Sequence, residues 1–284
     1  MNQPLGLLCV HAHPDDEAIS TGGVLARHAA EGLRTAVVTC TGGERGEIWN
    51  MDVESIRPRL AEVRRAELEA SLRLLGAGPP RLLGYVDSGM MGTEGNDDPA
   101  SFWRADLDEA VGRVVALLRE FRPDVMVLYD PFGGYGHPDH IQAHRVGLLA
   151  AEASDVAALY PDAGQPWRVR KLYYSTIPKS AIVRLGEQMA EMGLPSPFGE
   201  WERPEDVPMG AADDQVTTMV DVRGQLPTKM AALRAHDSQL DRSSFFLNLP
   251  SGLEIEAFGR ESFVRLRSDV AGPDREDDLF AGLR

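Results

Sequence analysis

Twice in this chain a short apolar run ends in a cluster of histidine and aspartate and then passes into a helical pattern. That repetition restricts the fold more than any other feature. Leu7-Leu8-Cys9-Val10 precedes His11-Ala12-His13-Pro14-Asp15-Asp16-Glu17, and Val125-Met126-Val127-Leu128-Tyr129 precedes Gly133-Gly134-Tyr135-Gly136-His137-Pro138-Asp139-His140. Runs of this length and composition read as buried strands. In a parallel sheet each strand delivers its following loop to the same edge, where ligands gather. The two loops therefore meet in space, although more than a hundred residues separate them in sequence.

The rest of the first half repeats the alternation. Leu5–Val10 is the first strand, and Glu17–Glu31 is a helical pattern interrupted only at Gly22-Gly23. Gly32 then takes the position after the helix where glycine is favoured. Thr35–Cys40 is a second strand, Arg59–Leu75 an amphipathic helix and Leu82–Tyr85 a third strand. Residues 92–104 form a polar loop, and Ala105–Phe121 and Pro138–Ala153 flank the fourth strand as helices. This order predicts an α/β protein: a Rossmann-like, mostly parallel sheet with helices on both faces. Beyond residue 153, strands are expected at Val169–Thr176 and Val216–Val222, and helices over 224–236 and 254–267. Pro178, Pro195, Pro197, Pro204 and Pro208 suggest an irregular cap or a short helical lobe. The expected division is a catalytic core over 1–176 and a C-terminal cap region over 177–284, with a loosely held tail from about residue 269.

Composition removes several classes of partner. The net charge of −15 opposes nucleic acid and anionic membranes, which reward surplus Lys and Arg. No apolar run approaches the roughly 18 residues of a membrane span. The N-terminal residues lack a signal-peptide pattern. Cys9 and Cys40 sit inside apolar runs, as small hydrophobes do in a reducing compartment. The protein reads as cytoplasmic, and nothing in the sequence opposes a homo-oligomer.

The two loops supply what a hydrolytic metal site needs: about three His or carboxylate ligands, an open position for water, and a nearby carboxylate base. The first offers His11, His13, Asp15, Asp16 and Glu17; the second offers His137, Asp139 and His140. No cysteine lies near either, so a closed thiolate site is excluded. The donors suit Zn2+, and Fe2+ or another divalent ion fits as well. Ligands drawn from both loops are the simplest assignment. Asp15 and Asp16 are adjacent and point differently, so one can bind metal while the other meets the water. A His11–His13 pair competes, and spacing alone does not reject it. A metal-free sugar- or nucleotide-binding module is disfavoured because no Gly-X-Gly-X-X-Gly follows the first strand. A two-metal phosphoesterase would want more carboxylates. Arg64 lies in an Arg/Glu-rich helix and reads as a surface ion-pair residue. Glu44, Arg45 and Glu47 sit at the ligand edge as substrate contacts or as a solvated turn. Asp87 is the first polar group after the third strand. His236, near the end of a late helix, reads as structural, as do His28 and His144.

His13-Pro14-Asp15-Asp16-Glu17 and His137-Pro138-Asp139-His140 together resemble the paired motifs of the LmbE-like, or PIG-L, zinc N-deacetylases. The resemblance extends to Gly42–Glu47, Val86-Asp87-Ser88-Gly89, Gly133-Gly134-Tyr135 and Ala235-His236-Asp237-Ser238-Gln239. It is strongest to the mycothiol branch, which includes S-conjugate amidases and N-acetylglucosaminyl-inositol deacetylases. It implies hydrolysis of an amide on a small-molecule glucosaminyl substrate. His13, Asp16 and His140 would hold one zinc per chain, and Asp15 would be the general base and then acid. His137, its ring held by Asp139, would stabilise the oxyanion together with Tyr135. Arg64 and Asp87 would meet substrate hydroxyls. The chain departs from its nearest relatives at Ala18, often Ser there, and at Ile19, a polar or basic residue in some amidases.

Overall fold

The computed structural model describes residues 3–284. In chain order its elements begin with β1 (Gly6–His11), α1 (Asp16–Ser20), α2 (Gly22–Ala30), β2 (Arg34–Thr41), α3 (Val53–Ile56), α4 (Leu60–Leu75), β3 (Arg81–Tyr85) and α5 (Leu107–Phe121). They continue with β4 (Val125–Leu128), α6 (Pro138–Ala153), β5 (Lys171–Thr176), α7 (Lys179–Glu191), β6 (Thr218–Asp221), α8 (Leu226–Arg234), α9 (Phe245–Asn248), α10 (Ser251–Phe258) and β7 (Arg260–Ser268). All seven strands form one sheet in the order β3-β2-β1-β4-β5-β7-β6. The pairs β2–β3, β1–β2, β1–β4 and β4–β5 are parallel; β5–β7 and β6–β7 are antiparallel. The sheet is thus mostly parallel, with an antiparallel edge.

Strand pleat splits the core in two. Leu7, Cys9 and Val37 face one side, against Val24 and Leu25 of α2, Leu68 and Leu72 of α4, and Leu233 of α8. Leu8, Val10, Ala36 and Val38 face the other, against Val114 and Leu118 of α5 and Val146 of α6. This alternation is what buries strands on both faces and makes them read as continuous apolar runs. Strand order reverses between β1 and β4, so the connections after them diverge and leave a crevice at their C-terminal ends. The two His/Asp loops follow these two neighbouring strands.

Three expectations need correction. The helical pattern over Glu17–Glu31 is two helices that part at Thr21, not one. There Gly23 packs so closely on Val222 that an added Cβ would lie 2.6 Å from it. The helix expected over 254–267 ends at Phe258; from Arg260 the chain is strand β7, wedged between β5 and β6. Glu261 on this strand accepts hydrogen bonds from the Gly23 and Val24 amides at 2.7 and 2.8 Å and from Lys229 Nζ at 2.6 Å. Those contacts lie far away in sequence, where local periodicity carries no sign of them. The tail expected to be loose from about 269 is docked. Glu276 accepts from Lys171 Nζ at 2.7 Å, from the Tyr173 hydroxyl at 2.6 Å and from Thr218 Oγ1 at 3.0 Å. Leu279 and Phe280 are fully buried in the same core face as α2 and α8. The division at residue 176 therefore runs through one continuous sheet. Cys9 and Cys40 are free and buried. Among the described residues no helix is long and apolar enough to cross a membrane.

Candidate metal centre

The second loop turns through Gly133, Gly134 and Gly136, all at positive φ, before His137 caps α6 and Pro138 opens its first turn. That first turn carries Asp139 and His140 into the crevice. His140 Nδ1–H donates to the Gly133 carbonyl at 3.1 Å, which leaves Nε2 as a bare lone pair. His13 Nε2–H donates to Asp139 Oδ2 at 3.1 Å, which likewise frees Nδ1. These two free nitrogens face each other at 3.3 Å. Asp16 Oδ2 stands 3.5 Å from each.

Three electron-pair donors aimed at one another in a buried site repel unless a cation lies among them. A tetrahedral ion with bonds of about 2.0–2.2 Å needs donors about 3.3–3.6 Å apart. The separations of 3.3, 3.5 and 3.5 Å meet that requirement. His13, Asp16 and His140 are therefore brought together as a fitting metal-ligand set. His137 lies close enough to form a further donor group with His13 and His140. A second group comprises His13, Asp87, His137 and Asp139. His11 is not in the site: its Nε2 is 2.9 Å from Thr21 Oγ1, which removes the His11–His13 pair.

The electrostatics agree. Burial alone would push the His13 imidazole down, but Asp139, Asp16 and Asp87 hold it well above its ordinary value, so the site demands positive charge. Burial would raise the Asp16 carboxyl, yet His140 and His13 keep it well below its usual range. Burial pushes His140 down to about 4, leaving a neutral ring able to bind metal.

Asp15 lies beside this group with its carboxylate free of the donor cluster. Burial raises it to about 6, against the lowering effect of Arg64. Arg64 is itself buried, at 3% exposure, so it is not a surface ion-pair residue, and it lines the cavity above the site. Its guanidinium donates to Asp15 Oδ2 at 3.2 Å, to the Pro14 carbonyl at 2.6 Å and to the Gly43 carbonyl at 2.8 Å. Gly43, at φ 67°, must be glycine, because a Cβ there would lie 2.1 Å from an Arg64 nitrogen. The buried stripe of α4 runs Leu60, Arg64, Glu67, Leu68, Ser71, Leu72, Leu75. Three polar residues on it thus face inward and act as clamps.

The Asp139 carboxylate does not hold His137. It accepts from His13 Nε2 and, at 2.9 Å, from the Ser88 amide, and the Ser88 hydroxyl also donates to it. It is the Asp139 backbone N–H that orients His137, donating to Nδ1 at 3.1 Å, so the neutral ring carries its proton on Nε2. Burial and His13 push His137 down to about 4. Its lowered pKa favours the neutral ring, which remains a hydrogen-bond donor through Nε2–H. Tyr135 is half-exposed on the glycine-rich turn, its ring 4.9 Å from that of His140 and 6.2 Å from that of His137.

Above these groups opens a cavity of about 780 Å3. Asp87 lines its floor; its carboxylate takes the Gly89 amide at 2.7 Å and stands 3.7 Å from His13 Nε2. Glu44 and Arg45, expected as substrate contacts, do not line it. Glu44 accepts from the Asp87 amide at 3.0 Å, and Arg45 donates to the Asp87 carbonyl and to Asp98, both at 2.7 Å. Both are occupied in fixing the Asp87 loop. The far wall is apolar, with Ile177, Ile182, Phe198, Met209, Phe245 and Phe246 from the C-terminal region. Sequence reasoning missed Ser88 and offered Glu17 only as a candidate ligand, whereas its carboxylate accepts from the Asp15 amide, Ser71 and His236. Each directly follows a residue it had singled out, and that adjacency was the available signal.

Comparison with known proteins gives a consistent picture. Residues 8–151 match the PIG-L family, described as GlcNAc-PI de-N-acetylase. The 1D-myo-inositol 2-acetamido-2-deoxy-alpha-D-glucopyranoside deacetylase of Geodermatophilus obscurus is 44% identical over 98% of this chain and 97% of its own length. Among solved structures, the N,N'-diacetylchitobiose deacetylase of Pyrococcus horikoshii aligns with TM-score 0.55 and 22% identity, over 87% of this chain and 72% of that one. The 4-carboxy-2-hydroxymuconate hydratase of Pseudomonas putida aligns with TM-score 0.64 and 19% identity, over 95% of this chain and 99% of that one. A deacetylase and a hydratase on one fold show that these two structures speak for architecture alone.

Proposed function

We propose that this chain, which belongs to the PIG-L family, is a zinc-dependent deacetylase that hydrolyses the acetamide of an N-acetylglucosaminyl substrate, with N-acetylglucosaminyl-inositol of the mycothiol pathway as the preferred one. The observation that carries the reading is the triangle of lone pairs from His13, Asp16 and His140, with Asp15 poised beside it. The names of relatives above 40% identity supply the substrate class. The setting we propose is the cytoplasm, where two free cysteines are at home.

A zinc ion held by His13, Asp16 and His140 would polarise the amide carbonyl and lower the pKa of a water. Asp15 takes a proton from the attacking water, since Arg64 fixes its carboxylate and its raised pKa suits proton exchange near neutrality. His137 Nε2–H and the Tyr135 hydroxyl donate to the carbonyl oxygen as negative charge develops there. The C–N bond then breaks, and Asp15 returns its proton to the departing amine. Asp139 takes part only through others: its carboxylate fixes His13 and its N–H fixes His137. Asp87 faces the sugar.

One observation favours a second reading within the same chemistry. The apolar wall of Ile182, Phe198 and Phe245 exceeds what a plain acetyl group requires, and it suits the bulky acyl side of a thiol S-conjugate. Acetate release from N-acetylglucosaminyl-inositol, run beside cleavage of a bimane-labelled mycothiol conjugate, separates the two. The proposal expects the first to dominate, to stop on chelation and to return with zinc. Turnover indifferent to chelation, or none on any N-acylglucosamine, overturns it.

A further inference from the structure

We infer that His236 and Glu17 are positioning residues for Asp15, a buried pair that holds the base's backbone in a conformation it would not otherwise keep. The inference rests on the reading of Asp15 as general base. Asp15 has φ 117° and ψ −30°, a region that residues with a side chain rarely occupy. Such a conformation persists only where surrounding structure over-determines it, and it is found disproportionately at functional sites. Here the surroundings can be named. The Asp15 amide donates to Glu17 Oε2 at 3.0 Å. Glu17 Oε1 accepts from His236 Nε2–H at 2.8 Å and from the Ser71 hydroxyl at 2.5 Å. Glu17, Ser71 and His236 are fully buried.

The strained backbone has a consequence for chemistry. Neighbouring residues in a strand face opposite sides, and in a helix they diverge by about 100°. Neither arrangement readily sends two adjacent carboxylates into one cavity for different tasks, yet Asp15 and Asp16 both line it. Asp16 turns to the lone-pair triangle, and Asp15 stays clear of it. Arg64 holds the Asp15 carboxylate and the preceding Pro14 carbonyl from one side, while Glu17 holds the Asp15 amide from the other. His236 comes from the turn after α8, and its Nδ1 is buried without a partner. Among the described residues, the one hydrogen bond of its side chain is therefore the bond to Glu17. That bond keeps Oε1 occupied and leaves Oε2 facing the Asp15 amide. Through His236, which does not line the cavity, the C-terminal region thus reaches beneath the base.

The test compares His236→Leu with His236→Gln. Leucine approximates the volume but has no donor, whereas the glutamine side-chain N–H can reach where the imidazole Nε2–H does. We expect His236→Leu to bind zinc with wild-type affinity and to keep KM within about twofold. Its kcat should fall by up to roughly 10²-fold, the scale of a misplaced catalytic group. His236→Gln should recover most of that loss, which a purely space-filling role would not allow. Should the leucine variant fail to fold, Glu17→Gln reads the same point, because it keeps the shape but replaces one acceptor by a donor; the same loss confined to kcat is expected. Near-normal kcat in the folded variant, or kcat and zinc affinity falling together, overturns the inference. Asp15→Ala with undiminished turnover would instead overturn the reading of Asp15 itself, a distinguishable result.

Discussion

Replacing Asp139 by asparagine should weaken zinc binding rather than the chemical step. The Asp139 carboxylate takes the His13 Nε2–H at 3.1 Å and the Ser88 amide at 2.9 Å on Oδ2, with the Ser88 hydroxyl on Oδ1. Asparagine can keep an oxygen at the Oδ2 position, so the first two bonds survive, while the negative charge and the acceptor for the Ser88 hydroxyl are lost. A hydrogen bond to a charged group contributes about 1.5–3 kcal/mol and a neutral one about 0.5–1.5. The His13 ring therefore loses about 1–1.5 kcal/mol of support, close to tenfold in the zinc dissociation constant. That sits at the lower end of the roughly 10–100-fold cost of removing a metal ligand's partner. Asp139→Ala should cost more and also destabilise the fold, because the Ser88 amide is left buried and unpaired, at about 1–3 kcal/mol. Competition against a chromophoric chelator measures the affinity, and thermal melting of the metal-free protein measures the stability. If Asp139→Asn binds zinc within twofold of wild type while kcat falls tenfold or more, the carboxylate serves His137 and the reasoning fails.

Other outcomes follow from the same geometry. Asp15 must be ionised to accept a proton; its carboxyl is raised to about 6, and a bound dication would bring it back down from there. Activity should therefore fall as pH drops through an acid limb at or below about 6, read from a kcat/KM profile. Tyr135→Phe should lower kcat by roughly 10–100-fold with zinc content unchanged, since it removes one donor from a half-exposed ring. Glu276→Ala should destabilise the protein by about 3–5 kcal/mol, because it strands the buried Lys171 ammonium, and denaturant titration will show it. Burial would raise Glu276, but Lys171 and Tyr173 hold it below its ordinary value. Its contribution is thus present above the unfolded carboxyl pKa and is lost as pH falls through the folded one.

Much of this was legible because the informative residues sit directly after apolar runs. Val10 leads to His13 and Tyr129 leads to His137, and parallel pairing of β1 with β4 brings their loops together. What was hidden is of two kinds. The division of labour between His137 and Asp139 depends on how the first turn of α6 faces Ser88, a contact that spacing does not encode. β7, inserted antiparallel between β5 and β6, owes its place to Glu261 meeting α2 and Lys229, again a distant matter. Arg64 is a different case. Its spacing from Leu60, Leu68, Leu72 and Leu75 places it on the buried stripe of α4, and only the habit of reading Arg and Glu as surface residues concealed it. Ser71 and Glu67 share that stripe, so periodicity deserved more weight there than residue type.

Zinc-edge anomalous diffraction from crystals of the zinc-loaded protein bears most directly on the metal site. The account predicts a single peak about 2.0–2.2 Å from His13 Nδ1, His140 Nε2 and an Asp16 carboxylate oxygen. A peak held instead among His13, Asp87, His137 and Asp139, or no peak at either group, would contradict it.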